Sequence, residues 1–148
     1  MPMPEPVALE YVRSFAQTAR EAFAFLEETR FRLTEYRQPS STDFRDGWHL
    51  RYSSKSLALS IEYYDMELII TFSAGNRSAT YWLIDKYLFA NASGYAGNMF
   101  PLDKLGRAIA TIAADIRSHY ADVLAGEPAI WETLQRLVMA PTAKSRLP

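Results

Sequence analysis

The sequence predicts an α+β fold with an N-terminal helix, an antiparallel meander sheet of about five strands, and two C-terminal helices packed on one face of the sheet. Three observations indicate this fold class. Apolar residues recur every three or four positions near both ends of the chain. They recur every second position between residues 31 and 72, and clusters of Gly, Pro, Ser and Asn separate the repeats.

The first predicted element is an amphipathic helix. Pro6 suits its first turn, and Arg30 suits its end, where a cation lies near the negative pole of the helix. The apolar side chains of this helix are expected to face the core: Leu9, Val12, Ala16, Ala19, Phe23 and Leu26.

Residues 31–72 alternate apolar and polar side chains in four segments, which predicts four strands with one face toward the core. Turn-forming residues 39–47, residues 53–55 and a tight turn near Asp65 separate these strands. Residues 79–89 are expected to form the fifth strand. The predicted inward side chains of the first four are Phe31, Leu33, Trp48, Leu50, Tyr52, Leu57, Leu59, Ile61, Tyr63, Leu68, Ile70 and Phe72.

The C-terminal part of the chain predicts two helices. Pro101 marks the start of a long helix that runs to about Val123, and Gly126 suits the cap that ends it. Pro128 opens a shorter helix that ends before Pro141. We expect one domain over residues 1–148, with a core from about residue 7 to 139 and a flexible tail at 140–148.

Composition excludes several functional classes. The chain has 148 residues, a net charge of −1 and no cysteine, so disulfides, thiolate metal sites and a cysteine nucleophile are excluded. The balanced charge makes nucleic acid an improbable partner. No stretch has the length of a membrane span or the pattern of a signal peptide, which predicts a cytoplasmic protein without membrane contact.

No motif predicts catalysis, a cofactor or a metal. Neither histidine, His49 nor His119, has metal-ligand spacing, and nucleophile-elbow and phosphate-loop patterns are absent from the sequence. His49 lies near Asp43 and Asp46 in sequence, but a solvated strand histidine is the favoured interpretation. We therefore predict a protein that is not an enzyme.

Two segments carry candidate partner contacts. Glu62, Asp65 and Glu67 surround one hairpin turn, where solvated carboxylates are more common than metal ligands. Residues 89–101 (FANASGYAGNMFP) are too apolar for an ordinary loop. Either Met99 and Phe100 fasten the start of the long helix, or Tyr95 is exposed at a glycine-flanked tip and contacts a partner. The predicted partner-binding residues are Tyr95, Met99, Trp48, Glu62, Asp65 and Glu67.

Charge is uneven along the chain. Residues 30–55 carry six basic side chains against three acidic ones, with aromatic residues between them. Strand alternation predicts that the charged side chains lie on the solvent-exposed face of the strands, whereas the aromatic residues of the same strands are buried. The basic side chains of this run are Arg30, Arg32, Arg37, Arg45, Arg51 and Lys55.

Three segments resemble a loose group of small bacterial α+β proteins: FAFLEETRFRLTEYR (23–37), GWHLRYSSKSLALSIEYYDMELIITFS (47–73) and LGRAIATIAADIRSHYADVLAGEPAIWETL (105–134). Many members of that group are similar to immunity proteins of toxin–antitoxin or contact-dependent competition systems. The resemblance implies a non-enzymatic inhibitor that binds a cognate toxin. The alternative is a small-ligand-binding domain or minor enzyme with a pocket between the sheet and the long helix, using His49, Asp85 or the acids at 62–67. A homodimer is a further possibility.

Overall fold

The computed structural model describes residues 15–39, 47–95 and 97–139. It confirms the α+β arrangement, with an N-terminal helix, a five-stranded antiparallel sheet and C-terminal helices. The described part of the first helix, α1, covers residues 15–22, and a 3-10 turn at Ala24–Glu28 follows it. The predicted first turn of the helix at Pro6, the core limit near residue 7, and the tail at 140–148 lie outside the described residues.

The sheet is a meander. Its strands are paired in sequence order, and every pair is antiparallel. Two-residue turns connect β3 with β4 and β4 with β5. The strands are β1 (Arg32–Arg37), β2 (Trp48–Ser53), β3 (Ala58–Tyr64), β4 (Glu67–Ala74) and β5 (Arg77–Thr80).

The two faces of the sheet differ as the alternation predicts. Side chains on the inner face are buried under the helices, and those on the outer face are partly or fully exposed and mostly polar, with Ala58, Tyr64 and Ile69 as apolar exceptions. The inner face of the three central strands consists of Trp48, Leu50, Tyr52, Leu59, Ile61, Tyr63, Leu68, Ile70 and Phe72.

The prediction of a strand over residues 79–89 is wrong for most of that segment. β5 ends at Thr80, and the chain continues as helix α2, Tyr81–Leu88. Residues 81–84 are an unbroken apolar run, and the two charged residues Asp85 and Lys86 are adjacent, so the sequence shows no clear period of two. Packing decides the outcome: Tyr81, Ile84 and Asp85 are buried at helical spacing, and α2 contacts β4 and β5.

The C-terminal region contains the predicted helices with one additional break. The long helix α3, Leu102–His119, ends earlier than predicted, and α4, Ala121–Leu124, follows after Tyr120. Gly126 has a φ of +69°, as expected for a residue that ends a helix. Helix α5, Pro128–Leu134, continues as a π-helical turn at Gln135–Met139.

Aromatic side chains join α2 and α3 to the sheet. The ring of Tyr120 stacks on Phe72, Tyr81 and Phe89, with centroid distances of 5.6, 5.5 and 4.7 Å. The Tyr81 hydroxyl donates to Oδ2 of Asp115 at 2.6 Å. Burial raises the pKa of both Tyr81 and Tyr120 far above the ordinary tyrosine value. Both phenols therefore stay neutral in this core. None of the helices in the described ranges has the length and apolar character needed to cross a membrane.

Candidate protein-binding surface

The β3–β4 hairpin has an unusual tip. Tyr64 pairs with Glu67, which leaves Asp65 and Met66 as a two-residue turn. Their φ values are +49° and +68°, the pattern of a type I′ turn, where Asn and Gly are the usual residues. A positive φ costs an ordinary side chain about 1 kcal/mol. The turn therefore presents Met66, with 40% of its surface exposed, despite local backbone strain.

The loop before α3 completes this end of the sheet. β5 pairs only with Thr71–Ala74, so the start of β4 has a free edge. Residues 98–100 occupy that edge: Leu68 N donates to Asn98 O and Phe100 N donates to Met66 O, both at 2.8 Å. Glu67 and Met99 form an antiparallel bridge. The loop is thus fastened to β4 by backbone hydrogen bonds.

Phe100 fastens the start of α3, as one of the two interpretations predicts. Its side chain is buried, and its carbonyl accepts a hydrogen bond of 2.8 Å from the Tyr63 hydroxyl. Met99 does not share this role, because 57% of its surface is exposed. Phe100 therefore acts as the anchor, and Met99 lies on the outer face beside Glu67.

Cross-strand pairing gathers acidic and apolar side chains at this end. Tyr64, Glu67 and Met99 lie in one row across three neighbouring segments, and Glu62 lies in the next row. Of the four large apolar side chains that are exposed in the described ranges, three lie here: Tyr64, Met66 and Met99. We define the hairpin-tip surface as Glu62, Tyr64, Asp65, Met66, Glu67 and Met99.

The structure brings four of the six predicted partner-binding residues together on this surface: Glu62, Asp65, Glu67 and Met99. Tyr95 differs from the prediction of an exposed tip, because it is half-buried and its ring packs edge-on against Phe100 at 5.2 Å. Trp48 is 1% exposed and stacks on Tyr63 at 5.9 Å, so it lies beneath the surface. Its place on the inner face of β2 explains this burial.

The sequence reasoning missed Tyr64 and Met66. One sequence signal was available. In the third strand, Tyr64 occupies a position whose side chain points away from the core, and the turn that follows it contains no glycine. Tyr64 is 62% exposed, the highest value among the large apolar side chains that the structure describes.

His49 lies beside this surface on the outer face. Its Nδ1 is 3.1 Å from Glu35 Oε1, and its Nε2 is 2.7 Å from Ser60 Oγ. Ser60 Oγ also donates to Glu62 Oε1 at 3.3 Å. The predicted neighbours Asp43 and Asp46 lie outside the described residues.

The contacts of His49 follow the serine–histidine–acid order found in some hydrolases. Such enzymes also need hydrogen-bond donors, from backbone N–H groups or from side chains, to stabilise an oxyanion. β3 is paired on both sides, so the backbone around Ser60 is committed to the sheet. The network therefore positions Glu62 at the margin of the hairpin-tip surface.

Asp85 supports the loop rather than lining a pocket. It is 1% exposed, and its carboxylate accepts hydrogen bonds from Ser93 N at 3.2 Å and Ser93 Oγ at 2.6 Å. Its backbone carbonyl accepts from Phe89 N and Asn91 N. A buried carboxylate with these partners fixes the first half of the loop that ends at Met99.

His119 is mostly exposed on the last turn of α3. Its Nδ1 is 3.0 Å from Asp115 Oδ1. Among residues 15–39, 47–95 and 97–139, no group of three or more His, Asp or Glu side chains could hold a metal ion. Comparison with protein-family models, curated proteins and solved structures gives no significant match for this chain.

Proposed function

We propose that this chain is a non-enzymatic protein-binding domain that engages its partner through the hairpin-tip surface. The observation that carries this proposal is the concentration of exposed Tyr64, Met66 and Met99 at one end of the sheet. Exposed apolar side chains grouped in this way are typical of protein interfaces, where aromatic residues and methionine act as anchors.

The chemistry of the surface defines the kind of partner. Glu62, Asp65 and Glu67 surround the apolar side chains, so the complementary surface carries Lys or Arg around an apolar recess. Asn98 Nδ2 donates to Glu67 Oε1 at 3.0 Å, and backbone hydrogen bonds hold residues 98–100 against β4. A surface fixed before binding loses little conformational entropy when the partner docks.

The narrower proposal is an immunity-type inhibitor that neutralises a cognate bacterial toxin in the cytoplasm. It rests on the resemblance of residues 23–37, 47–73 and 105–134 to the small bacterial proteins described above. The acidic rim of the hairpin-tip surface supports a basic toxin domain as the partner.

Growth rescue tests this proposal. Each small protein encoded next to the gene is expressed alone and then together with this chain, and bacterial growth is followed. We expect one neighbour to arrest growth alone and to be harmless with this chain. The purified pair should form a 1:1 complex by light scattering. If no neighbour is toxic, or if no toxic neighbour binds this chain, the immunity proposal is wrong.

Matched variants test the surface itself. Tyr64→Ala with Met99→Ala should weaken the complex at least tenfold, because large anchors carry most interface energy. Leu137→Ala removes an exposed apolar side chain far along the chain and should leave affinity unchanged. Asp65→Lys should slow association, whereas Glu132→Lys should not. Equal effects of the surface and control variants would contradict the assignment of this surface.

The main competing occupant is a second copy of this chain. Light scattering at micromolar concentration separates the cases: a monomer supports a different protein as partner. A dimer that Tyr64→Ala and Met99→Ala dissociate would assign the surface to self-association instead.

A further inference from the structure

A groove lies at the opposite end of the sheet from the hairpin-tip surface. It is formed by the segment around Ala24–Glu28, the turn between β2 and β3, and the region where α3 meets α4, and its volume is about 520 Å³. A second depression of about 550 Å³ shares Arg30, Ser54 and Ser56 with it. Because these three lining residues are common to both depressions, we describe the two together as the basic groove. Both parts are open to solvent, so a ligand would lie on the surface of the groove rather than inside an enclosed cavity.

Four cations line the basic groove. Arg30 belongs to both depressions, Arg117 lies in the first, and Arg32 and Lys55 lie in the second. The acidic side chain among the lining residues is Glu28. In the part of the chain that the structure describes, no carboxylate oxygen lies within 4.0 Å of any of these four cations. Among the described lining residues, the four cations therefore outnumber the single carboxylate, and none of them forms an ion pair with a described residue.

The cations come together only in the folded chain. Arg30 and Arg32 flank Phe31, where the chain enters β1. Lys55 lies in the turn after β2, and Arg32 pairs with Ser53 at the end of β2. Arg117 arrives from the last turn of α3, about sixty residues later in the sequence. Tertiary structure thus adds a distant cation to the basic run seen in the sequence.

One wall of the groove is apolar. Phe25, Phe31 and Leu124 contribute to it, and the guanidinium carbon of Arg117 lies 5.7 Å from the centroid of the Phe25 ring. This cation–π contact holds Arg117 over the wall without neutralising its charge. Gly126 lets the end of α4 lie close to the β2–β3 turn, since a Cβ there would come within 3.3 Å of Ser56 Cβ.

We propose that the basic groove binds a small organic phosphate whose organic part is apolar. Arginine side chains match the geometry of phosphate oxygens and bind them through paired hydrogen bonds. The apolar body lies on the half-buried side chains of Phe25 and Leu124, with the buried ring of Phe31 beneath them. An inorganic ion would leave that wall uncovered, and a neutral apolar molecule would leave the four cations without a counter-charge. The combination of cations and an apolar wall therefore favours an organic phosphate over an inorganic ion or a neutral apolar molecule.

Titration with 1-naphthyl phosphate tests the proposal, with 1-naphthol and inorganic phosphate as matched probes. Amide chemical shifts of the labelled full chain are followed by NMR. We expect saturable shifts at residues 25–31, 53–56 and 117–125 with naphthyl phosphate, and at least tenfold weaker binding of each matched probe. Higher ionic strength should weaken binding.

A charge-matched pair of double variants provides the control. Arg30→Gln with Arg117→Gln removes two groove cations and should weaken binding about tenfold or more. Arg51→Gln with Arg77→Gln removes two exposed or half-buried cations elsewhere, and affinity should stay within about twofold. All four residues lie outside the buried core, and thermal unfolding verifies that both variants fold.

Three results would overturn the proposal. The first is the absence of saturable shifts in the wild-type chain. The second is an equal loss of affinity in both double variants, which indicates attraction to net charge alone. The third is binding of 1-naphthol as tight as that of its phosphate. These measurements use neither the toxin partner nor the hairpin-tip surface, so they are independent of the proposed function.

Discussion

The two ends of the sheet differ in shape and charge. At the β3–β4 end, the hairpin-tip surface projects Tyr64 and Met66 among carboxylates. At the β2–β3 end, the basic groove recedes between three elements and collects four cations. One sheet therefore presents a surface suited to a protein and a concavity suited to a small anion, about one strand length apart.

The turns at these ends show how the difference arises. The β3–β4 turn is closed by two non-glycine residues at positive φ, so side chains project from its tip. The β4–β5 turn at the groove end uses Gly75, with a φ of +64°. Backbone strain at Asp65 and Met66 lowers stability but lets their side chains project from the turn. Strained backbone positions of this kind are common at functional sites. Five predictions test how the two ends differ and how independent they are.

Gly47→Ala should have the largest effect. A Cβ at this residue would overlap the carbonyl oxygen of Tyr63, beside the hairpin tip. We expect the free energy of unfolding to fall by about 3 kcal/mol, because the backbone must move. Gly97→Ala is the control, since no atom lies within 4 Å of its added Cβ. Urea unfolding measures both, and similar values for the two variants would contradict the close approach of β2 to β3.

Asp85→Ala should have the second largest effect. The change leaves Ser93 N and Oγ without their acceptor and opens a cavity, which costs about 2 kcal/mol. The loop that leads to Met99 should loosen, so faster amide exchange is expected at residues 89–95. Amide shifts of the basic groove should not change. Altered amide shifts in the basic groove would contradict this and would mean that the two ends are coupled.

Two buried tyrosines distinguish the ends at neutral pH. The Tyr63 hydroxyl donates to Phe100 O, so Tyr63→Phe should lower the free energy of unfolding by about 1 kcal/mol. The Tyr52 hydroxyl has no hydrogen-bond partner within the described ranges, so Tyr52→Phe should cost less. Thermal unfolding measures the difference. Equal losses in the two variants would contradict the hydrogen bond.

The same tyrosines predict an alkaline transition. Burial, then the charge of Asp65, raises the pKa of Tyr63 to about 12, and burial raises the pKa of Tyr52 to about 12. The folded state thus keeps protons that the unfolded chain loses near pH 10. Their contribution to stability is complete below pH 10 and is lost as the pH rises toward 12. Tyrosinate absorbance and unfolding at several pH values measure this. Two buried tyrosines that ionise near pH 10 would contradict it.

Met66→Gly should have the smallest effect on stability, and the opposite sign. Glycine relieves the positive φ of Met66 but adds entropy to the unfolded chain, so we expect a gain of about 0.5 kcal/mol. Partner affinity should fall, because an exposed anchor is lost. Gly75→Ala, at the other end, should instead lose about 1 kcal/mol. If Met66→Gly gains stability and keeps full affinity for the partner, Met66 is not part of the interface.

Local patterns were sufficient for much of the fold. The alternation from Phe31 to Phe72 predicted four strands and their buried face, since a strand places successive side chains on opposite faces. The same patterns predicted the start of α3 at Pro101 and the role of Gly126. They failed at residues 81–88, where a run of four apolar residues followed by two adjacent charged residues does not distinguish strand from helix.

Both proposed sites depended on contacts between distant residues. The sequence supplied the carboxylates around Asp65 and the cations from Arg30 to Lys55, because both groups are local in the chain. Only tertiary structure placed Met99 opposite Glu67 and Arg117 over Phe25. Periodicity shows which face a side chain occupies. Which distant residue lies beside that side chain is decided by packing. For Glu67, the edge of β4 that β5 leaves unpaired allows Met99 to lie beside it.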